Sequence, residues 1–201
     1  MRYNKIARFY DTISYLWTFG RIKEIRNKIV ELVPNGSKVL ELGCGTGNFS
    51  KRISKKVNCY LGLDNSEEMI SLARKENSGH NINFQKKDIF NFNKFQNYDV
   101  IIASVFFCAL PIKSSRILIR KISKNFSGRI ILYEEHTPNN TLIGLFWKHS
   151  RYLSRYLFHL MAGDPLEPIH NFKKLFLDNR FKLVEEHYFF NGYRCILCFE
   201  I

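Results

Sequence analysis

Hydrophobic residues recur along this chain with two different periods, which together predict alternating helices and strands. From residue 3 to 33 they return every three or four positions, the period of amphipathic helices, and Gly20 marks a break between two of them. Short continuous apolar runs follow, which are typical of strands buried in a parallel sheet. These runs predict strands at residues 39–42, 58–64, 82–85, 98–104 and 128–134. A final stretch, 181–201, predicts an antiparallel hairpin, so the whole order indicates an α/β fold with a mostly parallel sheet.

A glycine-rich loop follows the first predicted strand. Residues 39–50 read V-L-E-L-G-C-G-T-G-N-F-S, a strand, a tight loop and the expected start of a helix at Asn48. Glycine is needed where φ is positive or where a ligand lies against bare backbone, and free N–H groups at a helix start attract a polar or anionic ligand group. The spacing is G-x-G-x-G and not the dinucleotide fingerprint G-x-G-x-x-G, and Glu41 places a negative charge beside the loop. That charge favours a cationic ligand over a pyrophosphate.

With the motif E-x-G-x-G-x-G, the sequence resembles the class I S-adenosylmethionine (SAM)-dependent methyltransferases. Its opening segment, Y-N-K-I-A-R-F-Y-D at 3–11, is similar to the ubiquinone/menaquinone and phospholipid methyltransferase group. The resemblance implies a Rossmann-like, seven-stranded, mostly parallel sheet with a terminal antiparallel hairpin. It also implies one domain over 1–201, with an N-terminal helical lid at 1–36 and a helical insertion at 137–168. The cofactor would be SAM, whose sulfonium and ammonium suit an acidic site; the alternative is a ligand-free turn.

The candidate cofactor residues lie mostly at strand ends. Asp64 ends the second predicted strand, 21 positions after Gly43, where a carboxylate can accept hydrogen bonds from both ribose hydroxyls. The resemblance places residues 65 and 69 beside the adenosine and residues 88 and 89 at the adenine. For Tyr10 and Met69 plain packing is the alternative, and for Asp88 an ordinary turn. The full predicted set is Tyr10, Glu41, Gly43, Cys44, Gly45, Gly47, Asp64, Asn65, Met69, Asp88, Ile89 and Ser104.

Acceptor and methyl donor are expected to meet after the strand that ends at Ser104. The N/D/S-P-P-Y/F/W run of exocyclic-amine enzymes and the Pro-Cys of 5-methylcytosine enzymes are both missing there. Phe106 and Phe107 indicate either an apolar acceptor pocket or core packing. Residues 134–136, E-E-H, either take a proton from the acceptor or face water. No catalytic base is predicted, because holding nucleophile and methyl in line contributes about 7–11 kcal/mol on its own.

Residues 139–163 mix aromatic and basic side chains, which predicts a lid over the acceptor or a helix in a membrane interface. The net charge of +13 is compatible with nucleic acid, an anionic membrane or a solvated lysine-rich surface. The sequence has no signal-peptide pattern and no apolar run long enough to span a membrane, and its five cysteines favour reduced thiols. We therefore expect a cytoplasmic protein, which contacts a membrane if residues 139–163 bind one. No metal site is predicted, because the C-x-x-C at 195–198 lies within a strand without a second pair.

The sequence therefore predicts methyl transfer from SAM to a small or lipophilic acceptor, of the quinone-precursor or lipid-headgroup type. An RNA or protein methyltransferase is the first alternative, which the charge favours and the absence of an appended binding module disfavours. A SAM-binding protein without catalysis is the second. The acceptor atom and the oligomeric state are left open.

Overall fold

Seven strands and seven α-helices make up the part of the chain that the computed structural model describes, residues 7, 10–77, 79–137 and 141–201 without the side chains of residues 10, 11, 17 and 162. The strands are β1 (Lys38–Leu42), β2 (Cys59–Asp64), β3 (Ile82–Lys86), β4 (Val100–Ser104), β5 (Arg129–Glu135), β6 (Lys182–Phe189) and β7 (Arg194–Glu200). The helices are α1 (Tyr10–Trp17), α2 (Ile22–Leu32), α3 (Ser50–Ile53), α4 (Glu67–Glu76), α5 (Ile112–Asn125), α6 (Leu142–Ala162) and α7 (Phe172–Leu177).

The strands form one sheet in the order β3-β2-β1-β4-β5-β7-β6. β2 pairs in parallel with β1 and β3, whereas β7 is antiparallel to both β5 and β6. This order confirms the predicted Rossmann-like, mostly parallel sheet with a terminal antiparallel hairpin. By its contacts the chain divides into two compact units, residues 1–102 and 103–201, which are described in turn.

In the first unit, apolar side chains on α2 and β1 explain why these segments form a helix and a strand. Ile25 and Ile29 on α2 are fully buried, as their spacing predicts, and Gly20 turns the chain between α1 and α2 with a φ of 77°. β1 is buried along almost its whole length, and the register sets Glu41 opposite Gly62 on β2. This register brings the glycine-rich loop after β1 next to the end of β2.

In the second unit, β7 is buried along nearly its whole length and is covered by aromatic rings. Phe176 on α7 stacks on Phe199 of β7 with ring centroids 5.1 Å apart. The β6–β7 hairpin turns through Asn191 and Gly192, both with positive φ, where the sequence predicts the turn. α6 fills most of the predicted insertion, from a Thr141 cap to Gly163. A membrane-spanning helix is absent from the part of the chain that the structure describes.

Candidate functional site

The glycine-rich loop after β1 is held by hydrogen bonds to the protein itself. The N–H groups of Gly43 and Cys44 both donate to the carbonyl of Leu63 on β2, at 2.8 and 3.0 Å. The helix expected from Asn48 begins instead at Ser50 and is a single turn long, because tight turns occupy the residues before it. The N–H groups of Gly43 and Cys44 are therefore not available to a ligand. The expectation of free amides at the helix start, from Asn48 onward, stays a prediction.

The three loop glycines have positive φ for different reasons. A Cβ added to Gly45 would meet only the sulfur of Met69, at 3.9 Å, so this backbone borders open space where a ligand can lie. A Cβ added to Gly47 would lie 2.7 Å from the ring of Phe84, so internal packing already requires glycine there. Gly43 has a φ of 69°, which alone favours glycine. A role for all three in cofactor contact stays a prediction, and the structure gives it a geometric basis at Gly45.

Asp64 stands at the end of β2 with both carboxylate oxygens facing the loop and the start of α4. Oδ2 accepts the N–H of Gly45 at 3.0 Å, and Oδ1 accepts the N–H of Ser66 at 2.8 Å. Burial raises the pKa of Asp64, and these backbone donors act against that rise. The N–H of Asn65 is a third backbone donor to this carboxylate. A carboxylate has about four acceptor positions, so about one remains, which fits a hydroxyl of a ribose.

The serine cap predicted for α4 is confirmed: the side chain of Ser66 accepts the N–H of Met69 at 3.2 Å. Met69 is 2% exposed, and Asn65 is exposed. The buried thioether of Met69 therefore lies beside Gly45, whereas the polar side chain of Asn65 is open to solvent. The adenosine contacts predicted for these two residues stay predictions.

The remaining predicted cofactor residues are Asp88, Ile89, Ser104 and Tyr10. Asp88 is exposed and accepts the N–H of Phe90 at 3.0 Å within a short 3₁₀ turn, and Ile89 is buried. Ser104 ends β4 in the second unit and is half-buried. The side chain of Tyr10 lies outside the described residues. The contacts predicted for these four residues with a cofactor stay predictions.

Glu41 lies under the loop and has no fixed negative charge at neutral pH. Its carboxyl is 2% exposed and shares a hydrogen bond with the Tyr60 hydroxyl. Burial raises the pKa of Glu41 to about 8, although Tyr60 and Arg26 act in the opposite direction. The group is therefore mostly protonated at pH 7, in contrast to the charge that the sequence led us to expect. The predicted contact of Glu41 with the cofactor is not tested by this finding.

Two further residues hold the loop and were missed by the sequence analysis. A Cβ on Gly62 of β2 would lie 2.9 Å from both Cys44 and Phe84, so only glycine fits there without a shift. The amide of Asn77, after α4, donates to the Thr46 carbonyl at 2.9 Å. A glycine inside an otherwise buried strand is a recognisable signal of close approach, whereas nothing near Asn77 marks it.

In the second unit, the carboxyl of Glu134 holds the loop that follows β4. One oxygen accepts the N–H groups of Phe106 and Phe107 at 3.0 and 2.7 Å, and the other accepts that of Cys108 at 3.3 Å. The loop begins at Val105 with a φ of 52°, a strained angle for a β-branched residue. Burial raises the pKa of Glu134 to about 7. The alternative that residue 134 faces water is wrong, since its side chain is completely buried.

Next along β5, Glu135 is the centre of an arginine cluster, which we define as Arg151, Arg155 and Arg194. Its carboxylate lies 3.1 Å from Arg151, 3.2 Å from Arg155 and 3.6 Å from Arg194. Although burial acts to raise the pKa of Glu135, the three guanidinium groups lower it overall. Glu135 therefore stays ionised at 6% exposure, and it too does not face water.

Phe107 belongs to the core of the second unit. Its ring centroid lies 5.5 Å from that of Phe176 and 6.0 Å from that of Phe172, and the side chain is 1% exposed. Phe106 is half-buried. Of the two phenylalanines predicted to line an acceptor pocket or the core, Phe107 is therefore a core residue.

Comparison with known proteins gives the class that this geometry indicates. Residues 34–186 match a protein family described as a methyltransferase domain. The chain belongs to this family and is a class I SAM-dependent methyltransferase.

Particular relatives are similar over different shares of the chain. Demethylmenaquinone methyltransferase of Thermotoga maritima is 26% identical over 190 residues, 82% of this chain and 82% of that protein. Ubiquinone biosynthesis O-methyltransferase of Coxiella burnetii is 32% identical over 109 residues, 48% of this chain and 47% of that protein, so this chain spans about half of it. The structure of magnesium protoporphyrin IX methyltransferase of Synechocystis with bound S-adenosylhomocysteine (SAH) has a TM-score of 0.64 at 18% identity, covering 88% of this chain and 81% of that one. At this identity the likeness shows a shared fold.

Proposed function

We propose that this enzyme transfers the methyl group of SAM to a small, lipophilic acceptor of the quinone-precursor or lipid-headgroup type. The similarity to demethylmenaquinone methyltransferase over 82% of this chain supports a small-molecule acceptor. The observation that carries the lipophilic part of the proposal is the surface of α6, which also supports peripheral contact with a membrane through residues 139–163.

α6 has one buried side and one broad, exposed apolar side. Trp147, Arg151 and Ser154 are on the buried side. The exposed apolar side chains recur at helical spacing: Leu142, Ile143, Leu145, Phe146, Tyr152, Leu153, Tyr156, Leu157 and Leu160. The helix contains basic residues and no aspartate or glutamate. An exposed apolar patch marks a binding surface, and basic residues beside it favour the interface of an anionic membrane, where lipophilic acceptors dissolve.

On the cofactor side, the residues of the first unit bind and orient SAM. SAM supplies a methyl group on a sulfonium, whose leaving group is neutral, so little proton transfer is needed. Asp64 accepts a ribose hydroxyl with its remaining acceptor position, and the backbone of Gly45 lies against the ligand. Met69 and residues 88–89 contact the adenosine. In the second unit, Glu134 fixes the loop after β4 so that the acceptor is held in one orientation.

A label-transfer experiment tests the reaction. The purified enzyme is incubated with methyl-labelled SAM and, in separate tubes, a quinone and lipid extract, RNA and a protein fraction. We expect label in the organic-extractable product of the first tube, and less of it with the Asp64→Asn variant. Label that enters only RNA or protein would contradict the proposed acceptor class while leaving the methyltransferase class intact.

Liposome flotation tests the membrane part with a matched pair of variants. Leu153 on α6 and Ile117 on α5 are both apolar and exposed, at 58% and 62%. We expect the unmodified enzyme to float with vesicles that contain phosphatidylglycerol, Leu153→Glu to lose this binding and Ile117→Glu to keep it. Equal behaviour of the two variants would argue against α6 as the contact surface.

RNA is the second candidate acceptor, because a net charge of +13 favours a polyanion. A mobility-shift titration over a salt series distinguishes the two. Specific RNA binding would give a steep loss of affinity with salt, as counterion release requires, whereas the proposed lipophilic acceptor predicts weak RNA binding.

A further inference from the structure

The arginine cluster of the second unit has more positive than negative charge. Among the described residues, Glu135 is the one carboxylate that forms ion pairs with Arg151, Arg155 and Arg194. Glu134 precedes it in sequence, but its oxygens are occupied by the backbone N–H groups of the loop after β4. Three buried or nearly buried guanidinium groups therefore share one buried counter-charge, and Arg155 also helps to lower the pKa of the half-buried Glu167. The cluster still has one more positive than negative charge, which is unfavourable unless another anion joins it.

Two nitrogen atoms of this cluster have no hydrogen-bond acceptor. Nε of Arg155 and Nη1 of Arg194 are both buried, and no acceptor lies within bonding distance of either among the described residues. The other two nitrogens of Arg155 are bonded: Nη1 donates to Glu135 at 3.2 Å and Nη2 to the carbonyl of Pro165 at 2.5 Å. Buried donors without an acceptor are rare in proteins, and each one indicates a missing partner.

The surroundings of Arg194 restrict what that partner can be. The guanidinium lies over the rings of Tyr193 and Tyr133, with its carbon 4.9 and 5.8 Å from the ring centroids. The faces of the guanidinium are thus covered by aromatic rings, and the in-plane N–H groups at Nη1 are left to donate. A planar or tetrahedral oxyanion accepts such in-plane donors well, whereas a neutral ligand would leave the excess charge unbalanced.

We propose that the acceptor has an oxyanion group, a carboxylate or a phosphate, which binds to the arginine cluster through Arg155 and Arg194. This inference rests on the proposed function, because it names the polar end of the lipophilic acceptor. α6 has apolar side chains on its exposed side and two of the three arginines on its buried side, which together match an amphiphile. Arg155 is the most exposed of the three, at 12% of its side chain, so we expect the anion to enter beside it.

Calorimetry with short amphiphiles tests this inference in enzyme saturated with SAH. The probes are octyl phosphate, octanoate, octanol and inorganic phosphate. We expect one of the two anionic amphiphiles to bind about ten- to a hundredfold more tightly than octanol, since charge-assisted hydrogen bonds to two arginines are gained. The stronger of the two identifies phosphate or carboxylate as the group. Inorganic phosphate should bind more weakly than octyl phosphate, because it has no apolar part.

Variants of the arginine cluster test whether the anionic amphiphile binds there. Arg155→Gln and Arg194→Gln should each lose about tenfold or more of the affinity for the anionic amphiphile, and Arg155→Lys should recover part of it by charge. Arg129→Gln is the matched control, because Arg129 begins β5 and pairs with Glu200 away from the cluster. If Arg194→Gln does not fold, the two Arg155 variants decide the result.

The possible failures are distinguishable. Equal binding of octanol and the anionic amphiphiles, equal binding of inorganic and octyl phosphate, or an equal loss in Arg129→Gln would each overturn the oxyanion inference while SAH binding persists. Absence of SAH binding in the unmodified enzyme would contradict the proposed function itself.

Discussion

Replacing Glu41 with glutamine should remove a large part of the pH dependence of this protein's stability. The carboxyl is 2% exposed, and burial raises its pKa from 4.5 to about 8 in the folded chain. In the unfolded chain the same group titrates near its ordinary value. Its contribution to stability is therefore fully present below pH 4.5 and is lost as the pH rises through about 8, because only the unfolded state releases its proton in that interval.

The size of this effect follows from the same two pKa values. One pKa unit corresponds to about 1.4 kcal/mol, so the interval from 4.5 to about 8 amounts to roughly 3–5 kcal/mol. A small domain has a total stability of about 5–15 kcal/mol, so the effect is large enough to measure. Glutamine keeps the shape of a protonated carboxyl and can still accept a hydrogen bond from Tyr60, but it does not titrate.

Urea denaturation followed by circular dichroism, at steps from pH 5 to 8.5, measures the difference. The free energy of unfolding of the unmodified protein should fall relative to that of Glu41→Gln by a few kcal/mol over this range. Glu76→Gln is the control, because Glu76 is exposed at the end of α4, and it should follow the unmodified protein. If the curves of Glu41→Gln and the unmodified protein run parallel, the buried carboxyl is ionised after all and the reasoning is refuted.

Three further predictions concern the two units separately. Asp64→Asn should weaken SAM binding by about ten- to a hundredfold in calorimetry, because one carboxylate oxygen and its charge are lost; unchanged affinity would exclude Asp64 from the site. Gly62→Ala should cost about 1–3 kcal/mol in urea denaturation, since its Cβ would lie 2.9 Å from Cys44, and no loss would mean that the loop shifts freely. Glu134→Gln should lower kcat with little change in SAM affinity, and the rise in kcat of the unmodified enzyme as Glu134 ionises, near pH 7, should disappear. An unaltered pH profile in that variant would show that Glu134 does not fix the loop through its charge.

Much of the fold could be predicted because its causes are local in sequence. β1 and β5 lie within one residue of the predicted strands, since a continuous apolar run specifies a buried strand without reference to its partners. The hairpin turn at Asn191 and Gly192 follows from backbone preferences of two adjacent residues. The serine cap of α4 likewise depends on one side chain and the amide three residues later.

The ionisation of the acids could not be predicted in the same way, because it depends on residues distant in sequence. Glu41 is neutralised by burial beside Tyr60, 19 positions later. Glu135 stays charged through Arg194, which comes from another strand altogether. No local sequence pattern distinguishes these two glutamates, yet folding raises the pKa of Glu41 and lowers that of Glu135.

The neutral Glu41 and the hydrogen bonds of the loop after β1 change the reason why this loop is expected to suit SAM. The sequence alone predicts that Glu41 repels a pyrophosphate and attracts a sulfonium. In the structure, the N–H groups of Gly43 and Cys44 are already bonded to Leu63, and that of Gly45 is bonded to Asp64. The open backbone at Gly45 and about one acceptor position on Asp64 remain available to a ligand. We therefore expect a preference for a nucleoside without a pyrophosphate to depend on these bonded amides, and to survive the loss of the Glu41 charge.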